Sequence, residues 1–577
     1  MRNRSYLIIF IKVISVLLLL FIAENQHIIS KLPKLFSLYG FAGGITFIFI
    51  WTASILGLLF ASFSPNLYIR SFFTVLISLA TVLGVSFNLI SRSPLNFDNL
   101  YILFDNTGYA DEVIIQYPGA VISALLYASL SLTFLIRPPQ FFKKTPFLKY
   151  AYSVLPVLPL LLIFSILMIR GGYGTGRTPM PYRIPALSLF IGIENLTSEE
   201  TVRETVNIKA HRAGEPLNVV IIVDESMRGD YYDINNDTLN LTPYLSSQKD
   251  RLYNFGLASA GANCSTESNI ILRLGVNQHH LEQSFKHNPY TWQFARAAGY
   301  RTVMIEGQAK KGKLNNRMTP EELRYIDDFI YPEGETSYEK DLNIARTISK
   351  LTSQNNSKPL FIYAVKAGLH FPFIKEVPQG KAKFKIDYPH DNIGLKNNML
   401  NSYKNGIAYL IDPFFKALLQ DNAYKSSILL YTSDHGQNLL DNGSMQTHCS
   451  SVNTSAYEGL VPLFAITGHE GYRSKFQEAS LKNSDKASHF NIIPTVLSVL
   501  GYQDKDIKRK FGPTLFDNLT EPRKFMTGVL REKNIGIGPR NTLKWRLLPH
   551  NLKRMKQPKQ VVLPALSALS TEKKANH

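Results

Sequence analysis

The sequence predicts an α/β protein in two parts. A transmembrane domain with five helices precedes an α/β domain with a mostly parallel central sheet. Three observations carry the prediction. Apolar stretches long enough to span a membrane crowd the chain before residue 170. Short β-branched runs, each ended by a polar residue, recur after residue 216. Helix-like segments alternate with those runs, the pattern of a sheet covered on both faces.

The apolar stretches are Tyr6–Ala23, Phe41–Phe63, Phe72–Ile90, Ala120–Ile136 and Tyr150–Ile169. Each approaches the ~20 residues that cross a bilayer core. Lys12 is the one charge within them, close enough to an end to snorkel. Buried core helices would need a polar face, and these stretches have none. Arg2 and Arg4 precede the first stretch, but Ala23-Glu24-Asn25-Gln26 offers no small-x-small cleavage site, so an uncleaved helix is expected. Arg2 and Arg4, and later Arg137, Lys143, Lys144 and Lys149, mark the cytoplasmic side. Asp98, Asp105, Asp111 and Glu112 against Arg92 place the third loop outside, and Lys31 with Lys34 dissent. Five crossings then put everything after Arg170 outside, which is the periplasm in a Gram-negative inner membrane.

Composition narrows the classes. Of 577 residues, 63 are Lys or Arg and 44 Asp or Glu, a net +19, and charged residues make up 19%. The apolar and aromatic content excludes a disordered chain. Two cysteines, Cys264 and Cys449, exclude a disulfide scaffold, a zinc ribbon and an iron–sulfur protein. Nucleic acid is not an expected partner, because no such motif is present and attraction to anionic lipid explains the basic balance.

Four segments follow: a transmembrane domain over 1–170, a linker over 171–216, an α/β domain over 217–540 and a basic tail over 541–577. Gly171-Gly172-Tyr173-Gly174-Thr175-Gly176 reads as a loop. A short helix near Pro185–Leu196 lies on the membrane surface or is only a linker, and both readings stay open. In the α/β domain the expected strands are Leu217–Val223, Thr302–Ile305, Leu360–Val365, Ile428–Tyr431 and Leu460–Ile466. The expected helices include Leu400–Leu419 and Phe490–Leu500.

Sites in such sheets form beyond the carboxyl ends of strands. Glu225 follows the first strand and is a hard or borderline metal ligand, or a helix-start residue. Asp434 and His435, in Ser433-Asp434-His435-Gly436, offer one oxygen and one nitrogen to a metal. Cys264-Ser265-Thr266-Glu267-Ser268 enters a helix, where hydroxyls cap but where an anion and a nucleophile also meet. His370 and His448 lie in loops, where a lone histidine is more often structural. Together the set suits metal-assisted phosphoryl transfer.

These residues, in this order and spacing, resemble the membrane-bound phosphoethanolamine transferases of Gram-negative bacteria, within the alkaline phosphatase/sulfatase superfamily. Asp224-Glu225-Ser226 with Arg228 and Asp230, Thr242-Pro243, Ser433-Asp434-His435-Gly436 with Asn442-Gly443, and Phe490–Leu497 carry the likeness. The resemblance implies a sulfatase-like periplasmic catalytic domain and one Zn2+, or Mn2+ or another divalent metal, held by Glu225, Asp434, His435 and a hydroxyl. It implies Ser265 as nucleophile, with Thr266 as the rival and Ser268 a third choice. His370 and His448 are similar to the family's histidines that contact the phosphate or a second metal, and Gln308 and Lys311 to its donor-headgroup contacts. The implied reaction moves phosphoethanolamine from phosphatidylethanolamine to a lipopolysaccharide (lipid A or core) or other glycolipid, in a multi-pass protein of the bacterial inner membrane. A phosphoglycerol transferase acting on glucans or polymers and a non-catalytic membrane scaffold are the alternatives.

The sequence departs from that pattern in three places. Lipid A-directed members have several periplasmic disulfides, whereas here Cys264 and Cys449 flank Ser265 and His448 and form one pair at most. Asp224 stands at the common glycine and adds a negative charge beside the metal. Cys264 is followed by Ser265-Thr266-Glu267 rather than by x-Pro-x-Arg, which excludes formylglycine-dependent sulfate hydrolysis.

Overall fold

The computed structural model describes residues 2–21, 35–105, 114, 117–140, 148–197, 202–211, 217–354, 356–386, 396–531, 535–537 and 543–549. Ala23–Gln26, Lys31, Lys34, Asp111, Glu112, Lys143, Lys144 and the tail beyond residue 549 lie outside the described residues.

Among the described residues, four helices are long and apolar enough to cross a membrane: Asn3–Phe21, Gly40–Phe63, Leu67–Ser91 and Pro118–Leu135. The fifth expected span is not one long helix. It is divided into Leu148–Val154 and Leu158–Ile169, on either side of Pro156. Proline lacks the N–H that would continue the ladder and its ring crowds the preceding turn. Bonds from Leu155 to Ala151 (3.0 Å), Val157 to Val154 (3.1 Å) and Leu161 to Val157 (3.2 Å) carry the chain through the interruption. Lys12 does not snorkel. It is fully buried and donates to the carbonyls of Ser62 (2.8 Å), Thr133 (3.0 Å) and Phe134 (3.2 Å) at the ends of two helices. Carbonyls in a last helical turn are short of backbone donors (of these three, only Thr133 O accepts one among the described residues, from Ile136 N–H at 3.2 Å), and the ammonium completes them.

The helix expected near Pro185–Leu196 runs from Met180 to Leu196. Ile184, Leu187, Phe190 and Ile191 are buried within the membrane-domain core rather than spread on a surface. Its Glu194 pairs with Arg531 of the α/β domain, and Arg531 also donates to the Gly171 carbonyl at 2.8 Å. The end of the linker is docked as well. Glu204 N–H bonds His287 O at 2.9 Å and His211 N–H bonds Gly501 O at 2.7 Å.

The α/β domain is built on seven strands: β1 (Asn218–Asp224), β2 (Leu252–Ser259), β3 (Arg301–Glu306), β4 (Asp328–Ile330), β5 (Leu360–Val365), β6 (Ser427–Ser433) and β7 (Leu460–Ile466). Their order is β2-β7-β6-β1-β5-β3-β4. β1 pairs in parallel with β5 and β6, and β3 in parallel with β4 and β5. β7 runs against both β6 and β2. Successive side chains of β1 point to opposite faces: Val219, Ile221 and Val223 enter one buried core, Val220 and Ile222 the other. Both faces are therefore covered, as the unbroken apolar runs require. A two-stranded ribbon joins β8 (Lys524–Thr527) to β9 (Lys544–Leu547). The expected boundary at residue 540 is thus corrected: Lys544–Leu547 is a strand of the domain, not tail.

The parallel arrangement decides where chemistry can sit. The carboxyl ends of β1, β2, β3, β5 and β6 all open on one edge. Asp224 pairs with Ser433 in register, so Glu225 and Asp434 emerge side by side.

Candidate metal and nucleophile site

Glu225, Asp434 and His435 place one ligand atom each within 4.8 Å of one another, and all three are buried. Local structure fixes each. Ser226 adopts a left-handed backbone (φ 64°), uncommon for a residue with a side chain. Its hydroxyl donates to Glu225 Oε1 at 2.6 Å and its N–H to Asp434 Oδ1 at 3.0 Å. Gly368 packs on Glu225 with φ +62°, and a Cβ there would lie 2.5 Å from the Glu225 Cβ. His435 Nδ1 donates to the Gly436 carbonyl at 2.7 Å, which leaves the Nε2 lone pair facing the cluster. Gly436 is required because a Cβ would lie 2.1 Å from the Tyr457 carbonyl oxygen.

The donor set fits a divalent cation. Asp434 Oδ2 is buried with no donor directed at it, 3.6 Å from His435 Nε2. Two carboxylates and a neutral imidazole nitrogen match the three-ligand pattern that leaves a fourth position open. Without a cation the carboxylates repel. Burial, and then Glu225, push the Asp434 carboxyl up to about 7, and burial raises Glu225 as well. Binding must displace a proton from Asp434 below that pH. Apparent metal affinity is therefore expected to fall about tenfold per pH unit below about 7 and to level off above it, as titration calorimetry would measure. In the metal-free protein the stability contributed by Asp434 is present below its unfolded-state value and lost as pH rises through about 7.

Ser265 opens the helix Ser265–Leu274. Its Oγ lies 3.1 Å from His435 Nε2 and 3.4 Å from Glu225 Oε2. The hydroxyl is half-buried and sits at a helix start, where free N–H groups and the helix dipole favour an anion. The Thr266 hydroxyl forms no hydrogen bond to this cluster. Ser268 faces inward and bonds Ala262 O at 3.0 Å, which holds the loop. Cys264 and Cys449 form a disulfide with Cα atoms 4.6 Å apart, between the residue before Ser265 and the residue after His448.

The two loop histidines join the site. His370 is half-exposed with Nδ1 3.9 Å from Glu225 Oε1. His448 stacks on His435, ring centroids 4.4 Å apart and 17° from parallel. Burial, and then the neighbouring His435 and His370, push the His448 imidazole well below its ordinary range, so it is neutral at pH 7. Gln308 donates to Glu225 Oε2 at 2.9 Å and to the Lys366 carbonyl at 3.1 Å. It therefore orients a ligand from inside the cluster. Lys311 is exposed on the loop that follows β3.

Sequence reasoning missed the support beneath these residues. Lys366 is fully buried and pairs with Asp224, with Asp341 Oδ2 at 3.4 Å. Asp224 Oδ1 accepts the Glu225 N–H at 2.9 Å, and its Oδ2 accepts from Tyr431 at 2.5 Å. The extra charge of Asp224 is thus neutralised from below. A polar residue directly after the β5 run was the available signal.

Residues 217–502, nearly all of this α/β domain, match the sulfatase family and form a sulfatase-family domain. The Kdo(2)-lipid A phosphoethanolamine 7''-transferase of Salmonella typhimurium is 23% identical over 309 residues, 51% of this chain and 53% of that protein. The match therefore spans about half of that relative's length. The integral membrane lipooligosaccharide phosphoethanolamine transferase A of Neisseria meningitidis is 16% identical, with a TM-score of 0.60. That likeness covers 87% of this chain and 98% of the other, and shows a shared fold. The C-terminal periplasmic domain of EcEptC from Escherichia coli, solved in complex with Zn, is 20% identical, with a TM-score of 0.47 over 58% of this chain and 95% of that domain.

Proposed function

We propose that this chain is an inner-membrane phosphoethanolamine transferase with its catalytic domain in the periplasm. It would take phosphoethanolamine from phosphatidylethanolamine and pass it to a lipopolysaccharide acceptor through a covalent Ser265 intermediate. The observation that carries the reading is the Ser265 hydroxyl at a helix start, in contact with both His435 Nε2 and Glu225 Oε2. The Cys264–Cys449 disulfide supports an oxidising compartment.

Glu225, Asp434 and His435 would hold the cation, zinc by the nitrogen-and-carboxylate character of the set. When bound it would lower the pKa of the serine hydroxyl and neutralise charge on the donor phosphate. Ser265 Oγ attacks phosphorus, the bond to the diacylglycerol oxygen breaks, and the serine proton ends on that oxygen. His448, stacked on His435, and His370 at the mouth are the two side chains placed to carry the proton. An acceptor oxygen then attacks the phosphoserine, gives up its proton, and restores Ser265. The membrane domain keeps donor headgroups at high effective concentration.

Peptide-mapping mass spectrometry after incubation with phosphatidylethanolamine tests this. A phosphoethanolamine adduct on Ser265, absent in Ser265→Ala, is expected. An adduct on Thr266 would move the nucleophile by one residue. A phosphoglycerol adduct, formed only from phosphatidylglycerol, would replace the donor, and no adduct from either lipid in zinc-loaded protein would overturn the reading.

A further inference from the structure

The loop that carries His448 and Cys449 is held from outside the catalytic domain. Asn96 and Asn99 stand at the start of the membrane-domain helix Phe97–Asp105. Asn96 Nδ2 donates to Ser451 Oγ at 2.6 Å, and that hydroxyl donates to Asn99 Oδ1 at 3.1 Å. Asn99 Nδ2 donates to the Cys449 carbonyl at 3.2 Å, and Asn96 Oδ1 accepts the Asn99 N–H at 3.0 Å. Asn99 and Ser451 are both buried. The other end of the loop is tied to the last turn of Leu67–Ser91, where Met445 N–H bonds Ile90 O at 3.3 Å and Ser444 Oγ bonds Ser91 O at 3.2 Å.

These ties act on a backbone that needs them. Cys449 has φ 54°, a left-handed conformation that persists only when its surroundings over-determine it. Its N–H is fixed by Asn263 O at 2.8 Å and its carbonyl by Asn99. The neighbouring His448 ring is thereby set over His435. The same membrane-domain helix reaches the nucleophile side. Its Tyr101 ring lies 5.3 Å from the Arg317 guanidinium, which pairs with Glu267 in the first turn of the Ser265 helix at 3.0 Å.

We propose that Asn96 and Asn99 are positioning residues of the active centre, so that the membrane domain completes the catalytic geometry as well as anchoring it. The catalytic part of this inference rests on the proposed transferase reading.

The test compares full-length wild type with Asn96→Ala/Asn99→Ala and with Ser451→Ala, which removes the same bridge from the catalytic side. Turnover of micellar phosphatidylethanolamine and hydrogen exchange over residues 448–452 are both read. Expected are a kcat lowered roughly ten- to a hundredfold, the scale of an active-site misplacement of about 1 Å, and an unchanged KM. Faster exchange across the loop should accompany it in both variants. Asn66→Ala removes the cap of helix Leu67–Ser91, where Asn66 accepts from Tyr68 N–H, and serves as the destabilised control with normal kcat. Unchanged exchange and kcat in both variants would overturn the proposal, as would a rise in KM alone. A wild type inert on the lipid would sink the transferase reading instead, while the exchange comparison would still decide whether the membrane domain orders this loop.

Discussion

Replacing Ser265 with alanine is expected to lower turnover by about 10^3-fold or more, because the atom proposed to attack phosphorus is removed. The protein should stay folded and keep its metal. Ser265 is the first residue of its helix rather than the cap, and the helix start is held instead by the Cys264–Cys449 disulfide. Its Oγ reaches only His435 and Glu225, so alanine leaves no buried donor orphaned. A stability change within about 0.5 kcal/mol is expected for so small and half-exposed a truncation. Thr266→Ala should keep most of the activity, since that hydroxyl does not meet the cluster. Glu225→Ala should lose both turnover and metal. Diacylglycerol release, bound-metal analysis and thermal unfolding on the three variants separate the roles. Substantial turnover in Ser265→Ala would move the covalent step elsewhere.

The cluster of candidate ligands was legible in the sequence for a physical reason. Glu225 and Asp434 each follow an unbroken apolar run, and such runs are central parallel strands whose carboxyl ends meet at one edge. The runs Leu360–Val365 and Leu460–Ile466 are strands over those same residues. β2 escaped because Leu252–Ser259 has no such run. It is an edge strand interrupted by Gly256, and its pairing shifts between Asn254 and Leu257. The fifth membrane stretch was read by hydropathy, which does not register the backbone consequence of Pro156. Asn99 could not be found at all. Its partner Cys449 is 350 positions away, and a single asparagine in a short helix between membrane spans carries no pattern. Lys366 is intermediate, marked by its place after β5 but explained by Asp224, 142 positions earlier, and by Asp341.

Lys366→Met is expected to cost roughly 3–5 kcal/mol, the penalty for leaving a buried charge without its partner. Burial by itself would drive the Lys366 ammonium down, but Asp224 and Asp341 outweigh it and hold it above its ordinary range. Without the lysine, two carboxylates share one dry pocket, and Asp341 is already pushed up to about 7 by burial. The thermal midpoint of the catalytic domain should fall on the order of 10 °C. Asp224→Asn keeps an oxygen for the Glu225 N–H and leaves Lys366 with Asp341, so it should cost less. Asp224→Asn/Lys366→Met should then be more stable than the sum of the single changes by roughly 1–3 kcal/mol, because both act on one interaction. Strict additivity in that cycle would mean that the pair is not coupled. The consequence for chemistry follows from the same bonds. Asp224 fixes the backbone N–H of Glu225, and its carbonyl accepts the N–H of Asp434 at 2.9 Å. Loosening Asp224 therefore disturbs two of the proposed metal ligands at once, and Lys366→Met should weaken metal binding without touching either.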